Sequence, residues 1–346
     1  MQRPLIIGGG LAGGAAAAAL AAAGAKPLLL ERQAEPHDKI CGEFLSVEAG
    51  ATLARLGLDV TRLGGAPIDR VEIWSGRRRV AARLPFMATG ISRRVLDAAL
   101  LDHAAALGAD IQRGVTGKPP ANGITLLASG KHDQPGLPRD RAGTIDDLVG
   151  FKMFFHAPAL ARRLAGTVAV VFFDGGYAGL QPVEGGRLNL CLLVEATHYK
   201  ALGDWPALLA RLLAEPGLAA LADATPLLDK PLTISRVPYG FIAPPATDGL
   251  WRLGDQAAVI PSFCGDGMAI AVHSGALAAR MQLAGASVTQ FQAQLARDVA
   301  GQVRLATHLQ RLSRQPWARL AMLLGLGAVP GAVGLLARAT RVQAAA

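Results

Sequence analysis

The chain opens on an apolar triplet, Leu5-Ile6-Ile7, then a glycine run, Gly8-Gly9-Gly10, then small apolar residues from Leu11 to Ala23. A second apolar run, Pro27-Leu28-Leu29-Leu30, closes on Glu31. Short apolar runs on either side of a small-residue segment of helical length predict strand, turn, helix and strand. Alternation over Ile68–Trp74 and Arg79–Leu84 predicts two more strands, joined by a turn at Ser75-Gly76. From Ile91 through Leu96, Leu101 and Ala104 the apolar residues recur at helical spacing, and Asp110–Val115 reads as a strand of the first lobe.

Leu126–Gly130 is a short strand ending in small residues, and the loop from Lys131 to Gly143 is rich in Pro, Gly, Asp and Arg. Gly150–Phe155, Val168–Phe173 and Leu188–Val194 predict an antiparallel sheet in a second lobe. A helix is expected over Trp205–Leu221, a loop over Pro238–Pro245, a strand over Leu250–Asp255 and helix from Gly267 to about Leu312. The tail from Trp317 to Ala337 is apolar but interrupted by Arg319, Gly325, Gly327, Pro330 and Gly331. Its length approaches a bilayer span of roughly 20 residues. The interruptions favour two short helices packed on the body, or an interfacial hairpin with peripheral membrane contact.

The fold class is therefore α/β: a discontinuous Rossmann-type domain, a mixed or antiparallel β-sheet substrate domain, and a helical C-terminus. The boundaries are set at 1–66, 90–145 and 246–300 for the first domain, 67–89 and 146–245 for the second, and 301–346 for the tail. A chain of 346 residues can bury two such lobes.

Composition narrows the classes. Three scattered cysteines, Cys41, Cys191 and Cys264, make no disulfide framework or metal site and fit a reducing cytoplasm. The formal charge of +9 suits an anionic or carrier-bound ligand, or simply a solvated arginine-rich surface. No stacking platform or helix-turn-helix pattern points to nucleic acid. The Ala-rich start could pass for a signal peptide, but cleavage near Ala23 would destroy the glycine turn, so the segment is read as mature structure.

The glycine turn carries the first chemistry. Gly8, Gly10 and Gly13, with Leu11 and Ala12 opening the helix, allow the chain to approach a pyrophosphate at a helix N-terminus. Glu31, with Arg32 beside it, stands where an acid would take the ribose hydroxyls of an adenine dinucleotide. A second constellation lies far downstream: Gly254-Asp255, Pro261 and Gly265-Asp266-Gly267-Met268. Asp255 at a strand end can accept from ribityl hydroxyls, and the helix begun at Gly267 can face the ring edge where charge gathers on reduction. Alone, this is an ordinary loop with Asp266 as helix cap; paired with the first motif, it indicates FAD over a plain nicotinamide dehydrogenase.

On these residues the chain resembles the FAD-dependent oxidoreductases of the p-hydroxybenzoate hydroxylase fold. Lys39–Ser46, Arg93 with Leu96-Asp97, Ala128–Asp133 and Gly175–Pro182 make it most similar to the geranylgeranyl reductase-like branch. The resemblance implies that the Cys41-Gly42 loop passes the flavin and Arg93 sits near the diphosphate or ribityl chain. It also implies that Val115 presents its backbone to the adenine, that Ala128 to Gly130 pass the adenosine end, and that Tyr177 faces the ring. The chain lacks the appended C-terminal domain of many aromatic hydroxylases and the Asp-Gly pair of their middle motif, which weakens the hydroxylase reading.

Cys41, Glu43 and Tyr177 are the catalytic candidates. Cys41 either tunes the flavin or fills a tight turn; Glu43 either relays protons or caps the helix suggested by Ser46-Val47-Glu48. Cys264 sits in the flavin-edge loop and reads equally as a packing residue, Lys152 reads as a solvated lysine ahead of a contact to a substrate anion, and His132, His156, His198 and His273 show no ligand spacing, so no metal is expected. The expected activity is NAD(P)H-driven hydroxylation of a hydrophobic or aromatic small molecule through a C4a-hydroperoxyflavin, with NAD(P)H a transient reductant. Flavin ene-reduction of a carbon–carbon double bond is the alternative, and a non-catalytic lipid escort of related fold is the lesser one.

Overall fold

In the computed structural model, residues 3–120, 123–245, 248–329 and 331–341 are described. Pro330 and the outer domain bounds set at 1, 246 and 346 lie outside them. The first unit is β1 (Leu5–Ile7), α1 (Leu11–Ala22) and β2 (Leu28–Glu31), followed by β3 (Phe44–Leu45) and α2 (Val47–Arg55). Then come β4 (Ala66–Ser75), β5 (Arg78–Gly90), α3 (Arg93–Ala106), β6 (Asp110–Arg113) and β7 (Thr125–Leu127). The second lobe holds β8 (Leu148–His156), α4 (Pro158–Arg163), β9 (Gly166–Phe173), β10 (Gly176–Pro182) and β11 (Leu188–Glu195). It continues through α5 (Ala196–Leu202), α6 (Trp205–Leu213), β12 (Thr225–Pro226) and β13 (Leu232–Ser235). The chain returns as β14 (Leu250–Arg252) and ends in α7 (Gly267–Leu283), α8 (Val288–Ser313), α9 (Pro316–Ala328) and α10 (Ala332–Ala339).

One sheet has the order β14–β7–β1–β2–β6, with every pairing parallel. Helix α1 is wedged between this sheet's neighbours α3 and α7, and its small residues are what permit the fit. A Cβ on Gly275 of α7 would stand 2.2 Å from the Ala12 carbonyl oxygen, and one on Gly14 would stand 2.9 Å from Leu100. The second sheet runs β12–β8–β11–β10–β9–β4–β5–β3, with β13 also on β8. It is antiparallel except between β4 and β9, hence mixed. One of its faces packs Phe151, Leu190 and Leu192 against Leu208 and Leu212 of α6, and the other turns Phe172, Tyr177 and Leu193 toward the first lobe.

Two predicted helices are shorter than their apolar patterns. The segment expected over Trp205–Leu221 stops at Leu213, because Pro216 offers no N–H to continue it, and resumes as a 3₁₀ turn over Ala219–Asp223. The stretch from Gly267 divides at Gly285, whose φ of 75° ends α7, and Ser287 with Gln290 forms the capping box that starts α8. Helix α8 runs unbroken across residue 300. The apolar tail is two helices, bent by 116°, and among the described residues no single helix is long and apolar enough to cross a membrane. All three cysteines are free.

Candidate active site

The glycine turn is closed tightly by backbone on both sides. Gly8 has φ 107°, and a Cβ there would meet the Ala128 carbonyl oxygen at 2.4 Å; a Cβ on Gly13 would meet the Gly8 carbonyl oxygen at 1.9 Å. The turn is braced by Glu31, which is buried at the end of β2: Oε2 accepts from the Gly9 N–H at 2.6 Å and Oε1 from the Gln33 N–H at 2.9 Å. No side chain caps α1, so the first N–H groups, at Leu11 and Ala12, sit at the wall of a cavity with no intrahelical acceptor. Val115 donates its N–H to the Glu31 carbonyl at 3.0 Å, and Arg32 is exposed.

Above the turn stands a cationic pair. Arg93 makes a two-point contact with Asp97, Nε to Oδ1 at 2.7 Å and Nη2 to Oδ2 at 2.9 Å, and Lys39 Nζ reaches the same Oδ2 at 2.8 Å. The position of a Cβ on Gly10 is 3.2 Å from Arg93 Nη2 and 3.8 Å from Lys39 Nζ. Two cations held by one carboxylate against an uncapped helix N-terminus form a place for a diphosphate. Although burial opposes it, the charge of Asp97 keeps Arg93 firmly protonated.

The Cys41–Glu43 turn is clamped from the second sheet. Asn189 Nδ2 donates to the Cys41 carbonyl at 3.2 Å and the Gly42 carbonyl at 2.9 Å, and Gln181 Nε2 donates to the Glu43 carbonyl at 2.8 Å. Glu43 has φ 59°, a conformation costly for a residue with a side chain and sustained here by these partners. Its N–H reaches Cys41 Sγ at 3.4 Å. Its Oε1 accepts from the Arg93 N–H at 2.9 Å and from Lys152 Nζ, which also donates to the Lys39 carbonyl at 3.0 Å. Oε2 is buried with no hydrogen-bond partner. Burial, only partly offset by Lys152, raises the Glu43 carboxyl to about 7.

Two expectations are corrected here. Lys152 is not solvated: both it and Glu43 are 0% exposed. Glu43 is not the helix cap, since Ser46 Oγ accepts from the Ala49 N–H at 3.4 Å. A lone lysine in the otherwise apolar run Gly150-Phe151-Lys152-Met153-Phe154-Phe155 was the available signal, because a strand covered on both faces leaves no solvated side for it.

The far end of the cavity belongs to the second motif. Arg139, buried, donates through Nη1 to the Asp255 carbonyl at 2.7 Å, through Nη2 to the Lys131 carbonyl, and through Nε to Asp133 at 2.6 Å. This ties the Pro/Gly-rich loop to the Gly254-Asp255 turn, whose Asp255 side chain lines the cavity half-buried. Lys131 Nζ donates to the Ile40 carbonyl at 3.0 Å. Gly267 and Met268 open α7 with no side-chain cap, so a second helix N-terminus faces the same space. Asp266 stands at the N-cap position, its carbonyl accepting from the Ile270 N–H at 3.1 Å, but its side chain makes no cap bond; the fully buried carboxylate faces Arg341 at 3.4 Å.

Beyond these polar turns the wall becomes apolar. Tyr177 lies 5.9 Å from Phe263, edge to face, and 6.2 Å from Phe172. The Tyr177 hydroxyl is buried near Ser262, and burial holds its pKa well above the ordinary value. Burial likewise pushes the Cys191 thiol up to about 12 and raises that of Cys264. The C-terminal helices roof this chamber with Met322, Leu326, Val333 and Leu336. They are pinned by Arg319, which donates to the Phe173 carbonyl at 2.5 Å, and by Arg341, which faces Asp266 and lies over the rings of Phe44 and Phe86.

One cavity thus gathers Gly10, Leu11, Ala12, Cys41, Gly42, Glu43 and Arg93 with Ala128, Gly130, Tyr177, Asp255, Gly265, Gly267 and Met268. Gly8 and Gly13 stand behind its wall as supports, Glu31 braces the turn, and Pro261 is buried beside the loop. Arg32, Val115 and Asp266 do not line it. Lys39, Lys131 and Gln181 stood within the motifs quoted from the sequence but without a role, and Arg139 and Asn189 were not singled out; the roles of all five depend on contacts between distant segments. Sequence reasoning also missed the roofing residues of α9 and α10. Among the described residues no cluster could hold a metal ion.

Residues 3–118 match a family model described as an FAD binding domain. No curated protein matches the chain. Among solved structures, the flavin-dependent brominase Bmp2 has a TM-score of 0.77 at 16% identity, covering 98% of this chain and 93% of its own. PqsL of P. aeruginosa, in complex with 2-aminobenzoylacetate, has 0.72 at 15%, covering 94% and 99%. A geranylgeranyl bacteriochlorophyll reductase-like protein of Thermoplasma acidophilum has 0.70 at 18%, covering 96% and 91%. The chain carries an FAD-binding domain in the p-hydroxybenzoate hydroxylase-type fold.

Proposed function

We propose that this FAD-dependent oxidoreductase is a monooxygenase that hydroxylates a hydrophobic or aromatic small molecule, with NAD(P)H docking transiently as reductant. The observation that carries the reading is a single cavity joining the phosphate and ribityl turns, at Gly10 and Asp255, to an apolar chamber walled by Phe172, Tyr177, Phe263 and Met322. When bound, FAD supplies two-electron chemistry, with dioxygen as the second substrate. The chain's own residues supply the rest. Arg93, Lys39 and the N-terminus of α1 hold the diphosphate, and Asp255 accepts from the ribityl hydroxyls. The uncapped start of α7 offers N–H groups to negative charge on the ring. The apolar chamber excludes water, and the Tyr177 hydroxyl, kept protonated by burial, can donate to a substrate oxygen. The +9 charge supports an anionic or carrier-bound substrate, and the aromatic ligand of PqsL supports a ring-bearing one.

A second reading, reduction of a carbon–carbon double bond, is favoured by Glu43. Its carboxyl, raised to about 7, turns a partnerless Oε2 beside a cavity, which suits a proton donor to carbon. The test is oxygen uptake coupled to substrate-dependent NAD(P)H oxidation, with labelled dioxygen traced into product. One labelled oxygen per product supports hydroxylation; a saturated product formed only in the absence of oxygen overturns it.

A further inference from the structure

We infer that the outer face of the α9–α10 pair docks on an anionic lipid bilayer, so that the roof of the cavity lies at a membrane surface. Helix α9 is apolar on both sides. Its inner side places Met322 and Leu326 in the cavity wall and Ala318, Arg319 and Leu323 in the protein. Its outer side places Trp317, Leu320, Ala321, Leu324 and Ala328 in solvent, at helical spacing and without one polar residue among them. Trp317 is 68% exposed and Leu324 52%; on the neighbouring elements Val329 is 55% and Leu335 67% exposed. A helix apolar all round belongs in a core or against another apolar phase, and an exposed contiguous patch of this kind marks an interaction surface.

Charge identifies the occupant. From residue 299 to the end the chain holds six arginines and no aspartate or glutamate. Arg319 and Arg341 are consumed inside the protein and Arg314 is paired with Asp147, whereas Arg304 and Arg311 on α8 and Arg338 on α10 are exposed. Strand β5, on which α9 and α10 pack, adds exposed Arg78 and Arg83 and carries no acid. An apolar face with Trp at its edge and exposed arginines around it complements a bilayer bearing anionic headgroups. At about 1.5 Å per residue, the 13 residues of α9 extend about 20 Å, short of a hydrocarbon core of about 30 Å. With its inner side committed to the cavity and Arg319 anchored to Phe173, the pair lies on the surface rather than across it.

This inference is independent of the reaction proposed above. Its test is co-sedimentation of the full chain with phosphatidylcholine vesicles with and without phosphatidylglycerol, alongside sedimentation velocity without lipid. The chain is expected to partition onto phosphatidylglycerol-containing vesicles, to be released by salt, and to show a blue shift in tryptophan emission. The double variant Trp317→Glu, Leu324→Glu should lose at least tenfold in partitioning while keeping the wild-type thermal midpoint and far-ultraviolet circular dichroism. A single exposed change, Leu335→Glu, gives the same reading if the double variant folds poorly. Absence of partitioning, or equal partitioning onto neutral vesicles, would overturn the inference. So would a lipid-free dimer that the variants convert to monomer, because the face would then be covered by a second copy.

Discussion

Lys152, at the centre of strand β8, reaches across to Glu43 in the cavity wall, and the two form an ion pair with no exposed atoms. The pair fastens the Cys41–Glu43 turn to the second sheet, so the two lobes share one wall of the cavity. A buried pair of this kind is costly to break from one side, because the remaining charge has no water to turn to.

Lys152→Met is therefore expected to destabilise the chain by about 3–5 kcal/mol, and Glu43→Gln, Lys152→Met together by far less. Because Lys152 restrains the rise in the Glu43 pKa, the single-variant loss should be greater at about pH 8 than at about pH 6. Urea unfolding of the three chains at both pH values reads these differences.

Glu43 also sets a pH dependence of its own. Burial raises its pKa from 4.5 to about 7, so the folded chain keeps a proton that the unfolded chain has released. Stability contributed at this site is full below about pH 4.5 and falls as pH rises, until the loss is complete above about pH 7. Relative to Glu43→Gln, the wild type should lose about 3 kcal/mol across that window. Chemical denaturation of both chains from about pH 5 to about pH 8 checks the sign and the size.

Arg93→Met should weaken FAD binding by roughly 10–100-fold, equivalent to about 1.5–3 kcal/mol for hydrogen bonds to a charged group. Asp97→Asn should do nearly as much without touching the ligand, because it releases both Arg93 and Lys39. Fluorescence titration of apoprotein with FAD measures both.

Gly13→Val should give a flavin-free and less stable chain. Its side chain would begin 1.9 Å from the Gly8 carbonyl oxygen, where no rotamer relieves the clash. Absorbance of the purified protein and its thermal midpoint report the two effects.

Much of this was legible in the amino-acid order because it is local. Gly8 to Gly13 with Glu31, and Gly254-Asp255 with Gly265 to Met268, are each contiguous or nearly so, and their backbone demands narrow the residues allowed. The strands of the second lobe declared themselves by alternation or apolar runs. What stayed hidden is non-local. Lys152 and Glu43 are far apart in sequence and meet only because β8 crosses behind the turn. Arg319 read only as an interruption of the apolar tail and Arg341 carried no signal of its own, yet each turns inward to an acceptor on another element. The helical stretches at Leu213 and Gly285 ended where Pro216 and Gly285 stand, signals present in the sequence but outweighed by continuing apolar periodicity.

If one FAD site is assembled from both ends of the chain, FAD titration of the apoprotein will show it. Wild type should bind one FAD per chain, and Asp255→Ala should weaken that binding at least tenfold, as Arg93→Met does from the opposite end. A chain that takes up no FAD, or one whose affinity is unchanged by Asp255→Ala, would contradict it.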